Sequence, residues 1–245
     1  MMKIYVEDNY QKLSKKAAYI LASQIRLKPD SVLGLATGDT PLGMYRELVA
    51  MHQREDLDFR EIKTFNLDEY YGLEKENPQS YHYYMMENLF KHVNIRKENI
   101  HIPDGEASDI EEACSRYEGL IRQAGGIDLQ VLGIGRNGHI GFNEPDVKFE
   151  ATTHLVHLDA DTIQANARFF DSIDKVPTQA ISMGIKTIMQ AKKIVLLASG
   201  HEKREIVQKA LEGKILPELP ASVLQLHNDV VVILDQKAAG ELKEI

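Results

Sequence analysis

The stretch SVLGLATGDTPLG at residues 31–43 decides the fold. It begins with a compact apolar run of the length of a buried strand, and a glycine turn then leads into a helical pattern that contains Pro41. Before this stretch, apolar residues recur at helical spacing from Leu13 to Ile25. A helix, a buried strand and a helix in this order are typical of a parallel sheet whose strands are joined by helices.

The same alternation continues along the chain. Further strands are predicted near residues 62–67 and over 129–134, 153–158, 194–198 and 230–234, and further helices over 41–54, near 80–91, 110–124 and 203–211, and after Lys237. Together they predict an α/β fold with a single doubly wound, mostly parallel sheet and helices on both faces, which is Rossmann-like. Because no low-complexity linker or repeat interrupts the pattern, we expect one domain over residues 1–245.

The composition is that of an ordinary globular protein with an acidic balance. Hydrophobic residues make up 43% of the chain, charged residues make up 27%, and the formal net charge is -8. This charge opposes broad contact with nucleic acid or an anionic membrane. No apolar run approaches the roughly 20 residues that cross a bilayer, and the amino terminus lacks a secretory pattern. We therefore expect a cytoplasmic protein without nucleic-acid or membrane partners, and we expect its single cysteine, Cys114, to be a packed small side chain.

The loop after the strand at residues 31–36 is a candidate ligand site, because doubly wound sheets bind ligands beyond the carboxyl ends of their strands. This loop contains Thr37, Gly38, Asp39 and Thr40. Free backbone amides and the positive end of a helix dipole can hold a phosphate there, with the threonine hydroxyls as further donors. The alternative is a plain strand-to-helix turn that Thr40 caps. The carboxylate of Asp39 is unfavourable beside a phosphate unless its side chain points away.

Two adjacent acids, Asp68 and Glu69, follow the strand predicted near residues 62–67. Adjacent residues of a strand point in opposite directions. One side chain is therefore expected to face the cleft, where it can accept a proton, while the other caps or orients its surroundings. The alternative is a solvated acidic turn.

The glycine-rich loop, residues 133–145 with the sequence GIGRNGHIGFNEP, carries the strongest local signal. Its glycines let the backbone bend sharply and approach a ligand closely. His139 can both give and accept a proton near neutral pH, and Glu144 and Asn137 can fix its tautomer and orientation. The alternative for a single histidine is a structural or surface role.

Two cations lie near the ends of predicted elements. Arg168 can grip a phosphate through two parallel hydrogen bonds, and Lys203 can add a point charge. Taken singly, each is more typical of a solvated surface, but with the loop at residues 37–40 they can form a phosphate pocket. The remaining histidines show no metal-ligand spacing, so no metal site is predicted.

Several motifs in order resemble one family, that of glucosamine-6-phosphate deaminase, also called glucosamine-6-phosphate isomerase. The resemblance runs through nearly the whole chain and rests on LGLATGDTPLG, FNLDEYYGL, SYHYYM, LGIGRNGHIGFNEP, NARFF, ASGHEK and LQLH. It implies the reversible conversion of glucosamine 6-phosphate and water into fructose 6-phosphate and ammonia, without a metal or an organic cofactor.

The resemblance also implies a role for each matching residue. Asp68 is expected to move a proton between carbon 2 and carbon 1 of the opened sugar, His139 to assist ring opening, and Glu144 to orient and polarise His139. The resemblance places the phosphate on Thr37, Gly38, Asp39, Thr40, Arg168 and Lys203. We further expect a catalytic Asn137 and substrate-binding Glu69 and Gly135.

Two positions depart from the family pattern. Some members have an aspartate at the position of Asn137, whose amide can still form hydrogen bonds but carries no charge, so a charge-relay role falls mainly on Glu144. Some members have a glycine at the position of Asp39, which leaves the side-chain geometry of the phosphate loop open.

The family includes larger hexamers that N-acetylglucosamine 6-phosphate activates through basic residues after the catalytic loop and a longer carboxyl-terminal extension. In this sequence the matching stretch, residues 151–156, reads ATTHLV, and the sequence ends at Ile245. We therefore expect a monomeric, non-allosteric enzyme that acts on a small sugar phosphate.

Two other functions are compatible with the same fold class. A 6-phosphogluconolactonase has a similar fold and Gly-His loop but hydrolyses an ester, and the motifs FNEP and NLDEY favour the deaminase. A sugar-phosphate-sensing domain of a transcription regulator also has this general fold. The acidic charge and the lack of a helix-turn-helix pattern before Ser31 argue against the sensor.

Overall fold

Strands and helices alternate along the chain, and the computed structural model describes residues 2–240 and residue 242. The strands are β1 (Met2–Glu7), β2 (Val32–Leu35), β3 (Lys63–Asn66), β4 (Asp68–Tyr70), β5 (Ile100–His101), β6 (Leu129–Leu132), β7 (His154–His157), β8 (Gln179–Ser182), β9 (Lys193–Ala198) and β10 (Val230–Asp235). The α-helices are α1 (Tyr10–Leu27), α2 (Asp39–Gln53), α3 (Tyr81–Asn88), α4 (Ile110–Gln123), α5 (Ala160–Asn166), α6 (Ile185–Met189), α7 (Arg204–Glu212) and α8 (Gln236–Ala239).

Seven strands form a parallel sheet in the order β1-β10-β9-β6-β2-β3-β5. From β2 the chain moves outward to β3 and β5, and then returns to β6 on the other side of β2. The strand order therefore reverses between β2 and β6, which is where a sheet of this kind opens a crevice for a ligand. The predicted mostly parallel α/β sheet is confirmed.

The apolar strands at the centre of this sheet are covered on both faces. Every residue of β2, β6 and β10 is buried, because apolar side chains on both sides of each strand pack against other elements. Helix α1 packs against α2, β9 and β10, while α7 packs against α8 and the 3-10 segment Pro220–Leu226.

Helix α2 begins earlier than the sequence predicts. Its first residue is Asp39 rather than Pro41, and its N-cap is Gly38, with φ of 97°. Thr40 is therefore inside the helix, and the alternative in which Thr40 caps it is wrong. At the other end of the chain, α8 covers the start of the helix predicted after Lys237, whereas residues 241 and 243–245 lie outside the described residues.

A second sheet, which the sequence did not predict, contains β4, β8 and β7 in antiparallel order. The strand predicted at residues 153–158 is present as β7, but it belongs to this small sheet. Leu67 joins the two sheets, because its N–H donates to the Leu35 carbonyl of β2 at 3.0 Å and its carbonyl accepts from the Met183 N–H at 2.8 Å. The chain thus passes from the parallel sheet to the small sheet immediately before Asp68.

Among the described residues, no helix is long and apolar enough to span a membrane. The 18 residues of α1 bury one face and expose another. Cys114 is 7% exposed in α4, so its prediction as a packed side chain is confirmed.

Candidate active site

Loops from neighbouring strands meet at the carboxyl ends of β9, β6 and β2. They are the loop before α2, the glycine-rich loop after β6, and the 3-10 segment His201–Lys203 after β9. The strand order reverses at the same place, so the loops that carry the sequence-predicted residues lie where a doubly wound sheet binds its ligand.

Asp68 is held by the small sheet rather than by a flexible loop. It is the first residue of β4 and stands opposite Ser182 of β8. Although it is an acid, it is only 6% exposed. The aromatic rings of Tyr70, Tyr81 and Phe142 pack together nearby, with 4.8 Å between the first two ring centres, and they help to exclude water.

Glu69 points away from Asp68, as adjacent strand residues do. Its carboxylate accepts the backbone N–H groups of Tyr70 at 2.9 Å and of Tyr81 and His82 at 2.8 Å. Because Tyr81 and His82 begin α3, Glu69 holds the amino-terminal end of that helix. One acid therefore orients its surroundings, and the expectation of a substrate contact through the Glu69 carboxylate finds no support in this geometry.

Burial sets the proton affinities of these two acids. Burial, followed by the charge of Glu69, raises the pKa of Asp68 to about 8. Burial also raises the pKa of Glu69 to about 7, although the backbone N–H groups of Tyr81, His82 and Tyr70 act in the opposite direction. Asp68 thus ionises close to neutral pH, which suits a side chain that must take up and return a proton.

His139, Glu144 and Asn137 form one hydrogen-bonded cluster. His139 Nδ1 lies 3.1 Å from Glu144 Oε2, and the side-chain amide of Asn137 donates to the same oxygen at 2.8 Å. The backbone N–H of His139 donates to Asn137 Oδ1 at 3.2 Å. Asn137 therefore orients both partners, which is a task that an uncharged amide can perform.

The charge of Glu144 follows from these contacts. Burial raises the pKa of Glu144, but hydrogen bonds and charge from His139, and hydrogen bonds from Thr162 and Asn137, outweigh burial and hold it below its usual value. An ionised Glu144 places the mobile proton of the neutral imidazole on Nδ1. This tautomer leaves Nε2 of His139 available to a bound molecule.

Two glycines let the glycine-rich loop approach both acid-base groups. A Cβ atom on Gly135 would lie 2.5 Å from both ring nitrogens of His139, so the imidazole fits only because position 135 has no side chain. A Cβ atom on Gly141 would lie 3.0 Å from Ser182 Oγ and 3.7 Å from Asp68 Oδ2. The loop therefore carries His139 and passes directly beside Asp68.

Thr162 is a member of the site that the sequence did not reveal. Its hydroxyl lies 3.4 Å from His139 Nδ1 and hydrogen-bonds to Glu144, and the residue is 5% exposed. It lies in α5, on the connection from β7 to β8 of the small sheet. No local motif distinguishes this threonine from one on a helix surface, so only the fold brings it to the cluster.

The loop before α2 is fixed by two tyrosines that the sequence also did not reveal. The hydroxyl of Tyr84 donates to the Gly38 carbonyl at 2.7 Å, and the hydroxyl of Tyr10 donates to the Asp39 carbonyl at 2.8 Å. No side chain caps the amino-terminal end of α2. The first amides of this helix and the hydroxyls of Thr37 and Thr40 are suitable donors for an anion.

Lys203 reaches the glycine-rich loop from the neighbouring strand. Its ammonium donates to the Ile134 carbonyl at 2.7 Å. Burial lowers the pKa of Lys203 to about 8; the charge of Glu202 opposes this change, while Arg136 and Arg168 contribute to it. Three cations thus influence one another here, and Arg136 is one that the sequence analysis did not single out.

Arg168 lies at the outer side of the same region and already has a partner. Its guanidinium donates to Asp39 Oδ2 at 2.5 Å and lies 4.5 Å from the ring centre of Phe169. The Arg168 and Asp39 side chains are 63% and 62% exposed, respectively. Of the two predicted phosphate-binding cations, Lys203 is therefore partly buried, whereas Arg168 is accessible to solvent.

The other histidines belong to local structure. His154 Nδ1 lies 2.9 Å from the Thr152 carbonyl, and His227 Nε2 lies 2.8 Å from the Ala191 carbonyl. In the part of the chain that the structure describes, no three histidine, cysteine or acidic side chains are arranged to hold a metal ion.

Comparison with known proteins identifies the family of this chain. Residues 6–233 match the family model of glucosamine-6-phosphate isomerases and 6-phosphogluconolactonases. The chain belongs to this family. Within the family, a glucosamine-6-phosphate deaminase of Clostridium botulinum (strain Langeland) is 63% identical over 242 residues, which cover 99% of both chains. A glucosamine-6-phosphate deaminase of Clostridium acetobutylicum is 62% identical and is covered completely by 98% of this chain.

Two solved structures of the isomerase and lactonase family differ in how similar they are to this chain. A monomeric glucosamine-6-phosphate deaminase has 52% identity and a TM-score of 0.95, with 98% of this chain and 99% of that chain covered. A 6-phosphogluconolactonase from Thermotoga maritima has 23% identity and a TM-score of 0.76, with 96% and 99% covered. At that identity the lactonase shares the fold alone.

Proposed function

We propose that this chain is a glucosamine-6-phosphate deaminase, which converts glucosamine 6-phosphate and water reversibly into fructose 6-phosphate and ammonia. One observation carries the proposal: a single loop binds Lys203 at Ile134, carries His139, and passes Asp68 at Gly141. A group that binds an anion, a group that opens a sugar ring and a buried base thus meet at one segment. The close relatives of the same name support the same reaction.

Substrate binding begins with the phosphate. The uncapped amino-terminal end of α2 offers backbone donors, and Lys203 and Arg168 supply positive charge. The phosphate is at the far end of the sugar from the reacting carbons. Holding it fixes the distance from the phosphate to carbons 1 and 2, which brings those carbons to the two acid-base groups.

Ring opening is assigned to His139. Its Nε2 is free to take the proton of the sugar's carbon-1 hydroxyl and to return it to the ring oxygen, which breaks the ring bond and gives the open aldehyde. Glu144 stabilises the imidazolium that forms on the way, because its carboxylate lies 3.1 Å from Nδ1. Asn137 and Thr162 keep that carboxylate in place.

Proton transfer is assigned to Asp68. Its ionised carboxylate takes the proton from carbon 2 of the open sugar while the substrate's ammonium group gives a proton to the aldehyde oxygen, which yields an enolamine. The Asp68 carboxyl group then returns its proton to carbon 1. Carbon 2 becomes an imine, water adds to it, and ammonia leaves to give the ketone. The pKa of about 8 makes Asp68 a stronger base than an exposed aspartate.

A direct assay tests the assignment. Purified protein is incubated with glucosamine 6-phosphate, and ammonia and fructose 6-phosphate are measured together; equal amounts of both are expected. The same protein is tested with 6-phosphogluconolactone, whose enzymatic hydrolysis in place of deamination would assign the chain to the other branch of the family. Binding of glucosamine 6-phosphate without any product would instead indicate a sensor.

We further propose a monomer in the cytoplasm. The related deaminase of 52% identity is monomeric, and residues 151–156 contain no lysine or arginine to bind a phosphorylated activator. Light scattering is expected to give a mass near 27.7 kDa. N-acetylglucosamine 6-phosphate is expected to leave the half-saturating substrate concentration unchanged, and a marked decrease would overturn the non-allosteric assignment.

A further inference from the structure

The ion pair between Asp39 and Arg168 joins the phosphate loop to a segment that is 129 residues away in sequence. Asp39 is in the first turn of α2, and Arg168 is in the 3-10 segment Ala167–Phe169, which follows α5. The guanidinium that the proposed function gives to the phosphate is therefore already bound to a carboxylate of the same site.

The backbone around Asp39 is unusually well fixed for an exposed residue. Tyr84 binds the Gly38 carbonyl, and Tyr10 binds the Asp39 carbonyl while its own oxygen accepts the Gly43 N–H at 2.8 Å. These contacts come from two different helices, α3 and α1. The Asp39 side chain can therefore rotate, but the fixed backbone keeps its carboxylate near the site.

We propose that Asp39 determines the affinity and the charge selectivity of the phosphate site by competing with the substrate for Arg168. In the empty enzyme the carboxylate neutralises the guanidinium. A phosphate that enters must take this guanidinium from Asp39, and the released carboxylate then repels the phosphate. The inference rests on the proposed function, because it assumes that the phosphate of the substrate binds beside Asp39.

Charge and burial distinguish the two cations of the site. Lys203 is partly buried and forms no ion pair with a carboxylate among the described residues, so its charge remains available to a phosphate. Arg168 is neutralised and exposed. Asp39 therefore lowers the affinity of the site most for a doubly charged phosphate monoester, since the repulsion from its carboxylate grows with the charge of the ligand.

The variant Asp39→Asn tests this inference, because it keeps the size of the side chain and removes its charge. The KM for glucosamine 6-phosphate is expected to fall about three- to tenfold, and the inhibition constant of inorganic phosphate is expected to fall by a similar factor. The change is moderate because the pair is exposed and screened by solvent. The ratio of wild-type to variant KM is expected to shrink as ionic strength increases.

Glu61→Gln provides a matched control. Glu61 forms an exposed pair with Arg96 at 2.6 Å, with side chains 56% and 51% exposed, and it lies just before the amino-terminal end of β3, away from the site. Removing this charge is expected to leave both constants unchanged. An equal fall in both variants would show a general effect of net charge and would overturn the role of Asp39.

The remaining outcomes are also decisive. An unchanged or increased KM in Asp39→Asn overturns the inference, because Asp39 would then be neutral for binding or would hold Arg168 in its productive position. If wild-type protein fails to deaminate glucosamine 6-phosphate but Asp39→Asn still binds inorganic phosphate more tightly, the proposed function fails and the competition at Arg168 stands.

Discussion

The two halves of the candidate site are built in opposite ways. The acid-base half contains Asp68, His139 and Glu144, which are mostly buried and are held by strand pairing and hydrogen bonds. The phosphate half relies on the end of α2 and on Arg168, whose side chain is 63% exposed. Chemistry needs fixed geometry and altered pKa values, which burial supplies, whereas an anion can be captured by charges at an open surface.

Removal of the buried carboxylate is expected to give the largest effect. Asp68→Asn keeps the shape of the side chain but cannot accept the proton from carbon 2, so kcat is expected to fall by about a thousandfold or more. The dissociation constant of glucosamine 6-phosphate, measured by calorimetry, is expected to change little. A variant that retains more than a tenth of the wild-type kcat would show that Asp68 is not the base.

A change in the other acid-base group is expected to have the next largest effect. His139→Gln retains polarity but cannot shuttle a proton, so kcat is expected to fall by about a hundredfold. Because ring opening then limits the rate, substrate deuterated at carbon 2 is expected to lose most of its isotope effect relative to wild type. An isotope effect that grows in the variant would place His139 in the carbon-2 proton transfer instead.

Within the phosphate half, the partly buried cation Lys203 is expected to matter more than the exposed Arg168. Lys203→Gln is expected to raise KM by about fiftyfold, and Arg168→Gln by about tenfold, with smaller changes in kcat. An equal change in KM in the two variants would contradict the larger role assigned to Lys203. The double variant Asp39→Asn/Arg168→Gln sharpens the test, since it removes both charges of the exposed pair and is expected to recover part of the lost affinity.

The smallest expected effect concerns stability. The unfolded chain releases the Asp68 proton at the ordinary pKa of an aspartate, 3.8, but burial raises the pKa in the folded chain to about 8, so rising pH destabilises the wild type between these values. Denaturant titrations should therefore show Asp68→Asn gaining stability relative to wild type between acidic and alkaline pH; a constant difference would contradict the raised pKa.

The sequence predicts the centre of the fold better than its edges. Strands β2, β9 and β10 contain continuous apolar runs, and β6 is interrupted only by Gln130, so these strands require a sheet that is covered on both faces. In contrast, β4 reads DEY and β8 reads QAIS, and neither short segment has a pattern that requires a strand. The pattern of apolar residues also does not show which sheet a strand joins. The strand at β7 was therefore predicted in the parallel sheet.

The same limit applies to the candidate site. Its loops follow from the rule that ligands bind at the carboxyl ends of parallel strands, and the glycine-rich loop carries His139 and passes beside Asp68 at Gly141. The contacts of Thr162, Tyr10 and Tyr84 depend on elements that are distant in sequence. The prediction of one domain over residues 1–245 stays a prediction, since both of its ends lie outside the described residues.

The path of the chain through Leu67 determines which of the two adjacent acids can act as the base. Asp68 and Glu69 are neighbours of similar acidity, and the pairing of Asp68 with Ser182 alone decides which of them faces the glycine-rich loop. A slip of one residue in this short pairing would exchange the two faces. Deletion or insertion of one residue beside Leu67 would then turn the Glu69 side chain toward the sugar. The amino-terminal end of α3 would lose its hydrogen bonds to Glu69. Every acid-base side chain would nevertheless still be present in the sequence.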